Sequence, residues 1–486
     1  VSASSQGVRA RLLWLPRLHP AQTVVVAFAA VILAGSGLLL LPISSTTETT
    51  PLQALFTATS AVTVTGLAVV DTATHWSVFG QVVIMVLIQA GGFGIMTFAS
   101  VLGLVVARRL GLRSRLTAAT EGRALGAGDL RSVLIGVARA AVAIELLVAV
   151  MLAGRFMIGY DASLGTALWR GAFHAVSAFN NAGFGLHSDN LVPFASDAWV
   201  CLPIAFGVIL GGLGFPVLFE LWRTIDGPWH RSSARLAPAV RSAPGNTSAA
   251  QRWVMRARRR RGSWTLNTTL VLVTSAVLLC VGTGWTLALE WSNPGTLGAL
   301  DPAGRVLAAF FHSTVSRTAG FNSVDIGAMH PATLLGTDIL MFVGGGPAST
   351  AGGMKVTTFA VLTAIVLSEV RGDGAANAFG KRIPRAAQRQ AMTVAALGVF
   401  GVISGTMALM LLADVGLDRS LFEVTSAFAT VGLSTGITAD LPAAAKVVLI
   451  VLMFAGRLGP VTVASAIALR RQRRLYEYPK ERPIIG

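Results

Sequence analysis

Charge is what this chain has least of. Charged residues are 13% of its 486 residues, against roughly 25% in a soluble domain. Hydrophobic residues reach 53% and the mean hydropathy is +0.67. Together these values exclude a water-soluble enzyme or scaffold of this length and indicate a membrane protein. Cysteine is scarce as well. Cys201 and Cys280 both sit in apolar stretches, too few for a disulfide framework or a cysteine-based metal site. The common catalytic signatures HExxH, GxSxG and a Cys–His pair are missing, and Met354 separates Gly353 from Lys355, so there is no Gly-Lys-Ser/Thr phosphate loop. An enzyme is not expected. Residues 1–20 are basic and lack an apolar region with a small-residue cleavage site, so no signal peptide is expected.

Acidic residues are also outnumbered, 22 against 39 basic ones, for a net charge of +17. In a soluble protein this excess would suggest nucleic acid. Here most of the basic residues fall in the N-terminus and in 108–139, 223–261, 371–389 and 470–482, alternating with apolar blocks. That is the pattern of cytoplasmic loops in a polytopic membrane protein, and nucleic acid is not an expected partner. The longest basic linker, 225–262, carries RARRRR at 256–261. It reads as an orientation-setting loop, with contact to lipid headgroups or a partner as the alternative.

Apolar stretches run over about 21–42, 78–107, 132–154, 198–222, 267–289, 335–370, 391–413 and 444–469. Each can cross a hydrocarbon core of about 30 Å as a helix. Eight spans put both termini on one side. The basic ends (Arg9, Arg11 and Arg17; Arg470, Arg471, Arg473 and Arg474) make that side cytoplasmic, in a multi-pass protein of the plasma membrane in contact with lipid.

Within each successive pair of spans lies a shorter segment, and the four align: FTATSAVTVTGL at 56–67, FHAVSAFNNAGF at 173–184, FFHSTVSRTAGF at 310–321 and FEVTSAFATVGL at 422–433. A second glycine cluster follows the shared glycine of each segment (Gly66, Gly183, Gly320 and Gly432) by about 24–28 residues: QAGGFG at 89–94, LGGLGFP at 210–216, VGGGPASTAGG at 343–353 and AGRLGP at 455–460. The unit is therefore a span, a short re-entrant helix, a glycine loop and a glycine-interrupted span. The expected fold is all-α and polytopic, with four parallel span–pore helix–span repeats, eight transmembrane helices in all, around a pseudo-fourfold ion pore. The divisions fall at 1–130, 131–262, 263–388 and 389–486.

Irregular backbone inside a membrane is tolerated where it is buried in protein or lines a wet cavity. Four glycine loops around one axis meet that condition, and their carbonyls can replace the hydration shell of a monovalent cation. The candidate filter residues are Val64, Thr65 and Gly66; Asn181, Ala182 and Gly183; Thr318, Ala319 and Gly320; and Thr430, Val431 and Gly432. An acid follows each loop, Asp71, Asp189, Asp325 and Asp440, placed to concentrate cations at an outer mouth or serving only as solvated loop residues.

The four-unit plan, the filters, GGGPASTAGGMK at 344–355 and GRLGP at 456–460 together resemble the Trk/Ktr/HKT superfamily of potassium transporters. Eight spans resemble the bacterial Ktr membrane subunit more than the longer Trk type. The resemblance covers about 21–470. It implies K⁺ as the transported ion, with Na⁺ as a possible activator and no organic cofactor. It also implies a homodimer and a separate cytoplasmic nucleotide-binding regulatory ring of the Ktr type. In the plant branch a serine at the first filter position accompanies sodium preference; glycine at all four positions resembles the potassium-selective members.

The sixth stretch is interrupted by Gly344, Gly345, Gly346, Pro347, Ser349, Thr350, Gly352 and Gly353, just before Lys355. Glycine and proline disfavour helix by about 1 and 3 kcal/mol relative to alanine, so an unwound loop is expected. The resemblance implies an intramembrane gate below the filter, with Arg457 of the last span beside it in the pore. The alternatives are a kink at Pro347 and a structural tether at Arg457. Arg317 reads as an anchor for the third filter. Glu145 reads as a buried hydrogen-bonding group, and His174 and His312 as packing or hydrogen-bonding residues on the pore helices. Competing readings are a Na⁺-coupled or Na⁺-permeable transporter of the same superfamily and a secondary transporter for an organic solute.

Overall fold

The computed structural model describes residues 20–109, 129–225 and 264–459. The N-terminal arginines, RARRRR at 256–261 and the basic tail at 470–482 lie outside the described residues. What is described is almost wholly helical: α1 (Pro20–Leu39), α2 (Pro51–Val62), α3 (Val78–Arg109), α4 (Asp129–Tyr160), α5 (Leu164–Asn180), α6 (Ala198–Leu213), α7 (Phe215–Ile225), α8 (Leu266–Glu290), α9 (Pro302–Val315), α10 (Pro331–Phe342), α11 (Val356–Val370), α12 (Arg385–Leu412), α13 (Leu417–Ala429) and α14 (Ala443–Leu458). One small antiparallel hairpin, β1 (Asn377–Ala378) and β2 (Lys381–Arg382), pairs Asn377 with Arg382 and joins α11 to α12.

The helices divide by environment. Long α1, α4, α8 and α12 present Val26, Leu33, Leu146, Val150, Val277, Val281, Phe400 and Leu411 outward. Such a continuous apolar exterior requires a lipid surround. Short α2, α5, α9 and α13 bury most of their C-terminal halves: the last five residues of α2, Ala58 to Val62, are buried without exception, as are Phe422 to Ala429 of α13. Their starts are marked in the sequence. Thr50 accepts from Gln53 N at 3.3 Å while the Gln53 side chain accepts from Thr50 N at 2.8 Å, closing a capping box ahead of Pro51. Ser163 accepts from Thr166 N at 3.3 Å at the start of α5, and Pro302 opens α9.

Among the described residues four helices are by themselves long and apolar enough to cross a membrane: 22–39, 135–160, 266–290 and 385–412. These open the four expected units. The apolar stretch 198–222 is not one helix: α6 and α7 meet at 102°. The bend falls at Gly214, whose φ is +88° and whose position a Cβ would drive into the carbonyl of Pro347. The stretch 335–370 is likewise two helices, α10 and α11, parted by a loop over 343–355.

Candidate ion pathway

Each buried short helix ends in the same way. Val64, Asn181, Thr318 and Thr430 all have positive φ, between 52° and 86°, and Gly66, Gly183, Gly320 and Gly432, two residues later, have φ between 70° and 95°. The intervening residues do not. The turn is held to its own helix: Thr65 N donates to Ser60 O at 2.8 Å, Ala182 N to Ser177 O at 2.7 Å, Gly320 N to Val315 O at 3.3 Å and Val431 N to Ser426 O at 2.8 Å. In the first and last segments the serine hydroxyl also serves. Gly66 N donates to Ser60 Oγ and Gly432 N to Ser426 Oγ, both at 3.0 Å. Of the serines shared by three of the aligned segments, Ser60 and Ser426 are thus loop caps, whereas Ser177 Oγ is buried without a partner.

The four segments meet in cyclic order. A Cβ on Gly66 would strike the carbonyl of Ala182; one on Gly183, that of Ala319; one on Gly320, that of Val431; and one on Gly432, that of Thr65. Backbone thus abuts backbone around the ring. Asn181 and Thr318 add a side-chain contact between adjacent segments at 3.3 Å.

The second glycine clusters have a related reason. A Cβ on Gly91 would meet the carbonyl of Val62, one on Gly211 that of Phe179 and one on Gly456 that of Phe428. Each glycine lets a following helix lie against the C-terminal end of the short helix before it. Behind the second segment, Gln89 Nε2 donates to Glu145 at 3.0 Å. Asn180 Nδ2 donates to Gln89 Oε1 at 2.7 Å and to Glu145 at 3.2 Å. The partners of Glu145 are therefore two amides, one of them the last residue of α5.

The loop over 343–355 is largely buried and packs against the third segment. Gly344 N donates to Met354 O at 2.8 Å, so the two ends of the loop cross. Gly346 N donates to Gly212 O at 2.8 Å, Thr350 N to Gly211 O at 3.2 Å and Phe215 N to Ala348 O at 3.2 Å, stitching the loop to the break between α6 and α7. Ser349 Oγ donates to Gly346 O at 2.6 Å and Thr350 Oγ1 to Phe179 O at 3.2 Å. Lys355 Nζ donates to Ala351 O at 2.5 Å. Arg457, 5% exposed, donates to Thr350 O and, at 3.5 Å, to Gly91 O. Pro347 lies inside the loop, so the interruption is more than a kink at one residue.

The four acids that follow the segments are all exposed. Asp71 accepts from Ala73 N at 2.9 Å and from Ser188 Oγ at 2.5 Å, joining the loops after the first and second segments. Asp325 accepts from Gly327 N at 2.8 Å. Asp440 lines a cavity of about 630 Å³ with Asp414, Asp418 and Arg419. Nearby, between α2 and α3, burial lowers the pKa of His75 below its ordinary value, and its ring lies between the hydroxyls of Thr47 at 2.8 Å and Thr49 at 3.0 Å.

Sequence reasoning missed one support, Glu423, and read the other, His174, only as a packing or hydrogen-bonding residue. Glu423 of α13 is fully buried and accepts from Ser434 Oγ, from Thr435 N at 3.0 Å and from Thr438 Oγ1 at 2.9 Å. His174 stands at the same place in α5, one residue after the repeat phenylalanine, and its Nε2 accepts from Leu186 N at 3.4 Å. Both hold the chain three residues beyond a positive-φ glycine, Gly183 or Gly432. A buried carboxylate at a repeat position of a pore helix was the available signal. His312 meets Thr337 Oγ1 at 3.1 Å.

A helical bundle with an apolar exterior and a ring of irregular backbone at its centre defines a multi-pass membrane transport protein. Comparison with known proteins gives the family. The chain matches the TrkH family, described as a cation transport protein, over residues 14–477, and it belongs to that family. Within the Trk/Ktr superfamily it is like the Ktr membrane subunit. It is 38% identical over 463 residues to the Ktr system potassium uptake protein B of Bacillus subtilis, covering 95% of this chain and 96% of that one. It is 33% identical over 478 residues to the potassium/sodium uptake protein NtpJ of Enterococcus hirae, covering 97% and 98%. Its fold matches the crystal structure of the potassium transporter TrkH from Vibrio parahaemolyticus, with a TM-score of 0.68 at 17% identity over 94% of this chain and 86% of that one. The family is one of transporters, so the chain is not an enzyme.

Proposed function

We propose that this chain takes up K⁺ across a bacterial plasma membrane through one filter built from Val64–Gly66, Asn181–Gly183, Thr318–Gly320 and Thr430–Gly432, gated by the loop 344–355 with Arg457. The observation that carries this reading is the closed cyclic order, in which each filter glycine gives way to a carbonyl of the next segment. Two residues of positive φ flanking one without turn successive carbonyls to the same side of the chain, and a ring of such segments offers a dehydrated cation stacked oxygen ligands. The converging ends of α2, α5, α9 and α13 add the negative ends of their dipoles. The buried gate loop closes the route below. Arg457 both tethers it and repels a cation.

In this reading eight spans form four units, divided near 130, 262 and 388, with both termini cytoplasmic. Asp71, Asp189, Asp325 and Asp440 ring the outer mouth, and K⁺ binds at the filter. The chain works as a homodimer with a cytoplasmic nucleotide-binding ring. The name of the Bacillus relative, component B of a potassium uptake system, supports K⁺ as cargo and a multi-part assembly. The potassium/sodium name of the Enterococcus relative favours a second reading, in which Na⁺ activates or accompanies transport. Growth of a potassium-uptake-deficient bacterium at low K⁺ tests both. Rescue without Na⁺ supports the uniport reading, rescue only with Na⁺ supports the second, and no rescue by the expressed chain with its cognate partner refutes K⁺ uptake.

A further inference from the structure

We propose that Arg317 is a positioning residue that couples the gate loop to the third filter segment, so that release of the loop changes ion selectivity as well as flux. This rests on the filter and gate reading above and adds a connection between them. Arg317 directly precedes Thr318. Its guanidinium leaves the filter segment and donates to Ser275 O at 3.2 Å, to Ser275 Oγ at 3.0 Å and to Gly344 O at 3.4 Å. None of these partners is a carboxylate. A cation in the apolar interior of a membrane protein is expensive and is retained where its position matters.

Three further observations single out this link. The positions corresponding to Arg317 in the other segments hold Thr63, Asn180 and Ala429, all uncharged. The charge therefore occurs in the one unit whose second span is opened by the gate loop. Gly344 is the joint at which the loop closes on itself, since its N–H donates to Met354 O at 2.8 Å. The same residue abuts the methyl of Thr318, which lies 3.3 Å from where its Cβ would be. A shift of the loop that moves Gly344 therefore acts on the third segment through a rigid fork on one side and direct contact on the other. Arg457 grips the same loop at Thr350, six residues away. Arg457 thus holds the loop at Thr350, and Arg317 holds it at Gly344 beside the third segment.

The test is a double-mutant cycle on the full-length chain in proteoliposomes, reading the K⁺ to Na⁺ uptake ratio beside K⁺ flux. Arg457→Ala should lower the ratio by about threefold or more when Arg317 is present, and by less than about 1.5-fold in Arg317→Gln. Arg317→Lys, which can reach one acceptor but not all, should fall between. A static anchor predicts that Arg457→Ala shifts the ratio equally in both backgrounds. That result, or raised flux with an unchanged ratio, overturns the coupling. Where Arg317→Gln does not fold, Ser275→Ala, which removes one acceptor of the fork, takes its place in the cycle with the same expectations. Gly66→Ser is measured in parallel. If it lowers the ratio while the cycle is additive, the coupling alone is wrong; if it leaves the ratio unchanged, the filter reading fails as well.

Discussion

The proposed filter segments and the proposed gate loop are both irregular, glycine-rich backbone buried in a membrane protein, yet they are held in opposite ways. Each filter turn is tied to the helix that precedes it. Thr65, Ala182 and Val431 donate to carbonyls five residues back. The loop over 343–355, besides a few bonds within itself, borrows its partners from distant chain: Gly211, Gly212, Phe179 and Arg457. Local bonds form with the helix and persist as long as it does. Distant bonds depend on how α6, α7 and α14 stand relative to the loop, so a small displacement of those helices breaks several at once. The difference teaches how one bundle can keep backbone tied to its own helix next to backbone whose bonds to distant chain can break together.

The comparison breaks most sharply at a filter glycine. Gly66→Ser places a side chain at φ +94° and drives its Cβ into the carbonyl of Ala182. The left-handed conformation alone costs a residue with a Cβ about 1–2 kcal/mol, and the collision adds to it. The K⁺ to Na⁺ uptake ratio should fall by about tenfold or more, since about 1.4 kcal/mol is a factor of ten. Gly284→Ser is the matched control, because a Cβ there meets nothing within 4 Å. An unchanged ratio in a folded Gly66→Ser protein would refute the filter assignment.

At the proposed gate the main expected change is in flux, which should rise. Arg457→Ala removes the donor to Thr350 O and Gly91 O together with a buried positive charge. Hydrogen bonds from charged groups contribute about 1.5–3 kcal/mol each, so the closed loop should lose enough to raise K⁺ flux several-fold at matched protein density. Shortening the loop should act in the same direction. If both leave flux and regulation untouched in folded protein, the loop is not the gate.

The sequence shows the four glycine turns better than it shows their supports, for a physical reason. Positive φ next to a neighbour's carbonyl admits only glycine, so Gly66, Gly183, Gly320 and Gly432 recur at one offset and can be aligned by eye. The second glycine clusters are equally visible, but their purpose is not. That Gly91, Gly211 and Gly456 yield to Val62, Phe179 and Phe428 requires knowing which helices touch. Side-chain supports are less legible still. Glu423 and His174 perform one task with unrelated chemistry, and Glu145 finds its amides 56 and 35 residues away. The right-angled break at Gly214 hides inside an apolar run because hydropathy carries no information on φ.

The smallest expected effect separates the filter segments from one another. Ser60 and Ser426 each accept a filter glycine's N–H through the hydroxyl, whereas Ser177 Oγ is buried without a partner. Alanine at Ser60 or Ser426 keeps the backbone bond to the serine carbonyl but leaves the N–H of Gly66 or Gly432 without its acceptor. A buried donor left unsatisfied costs about 1–3 kcal/mol, part of which the loop recovers by relaxing. The uptake ratio should therefore fall only about two- to fivefold in Ser60→Ala and Ser426→Ala. In Ser177→Ala nothing is disconnected, and the ratio should not move. Measured side by side, the three substitutions test whether the shared serine is retained for the filter or only for helix packing. Equal effects at all three positions would mean that packing volume, not the cap, sets the response, and the first and last segments would lose their claim to be the more firmly held pair.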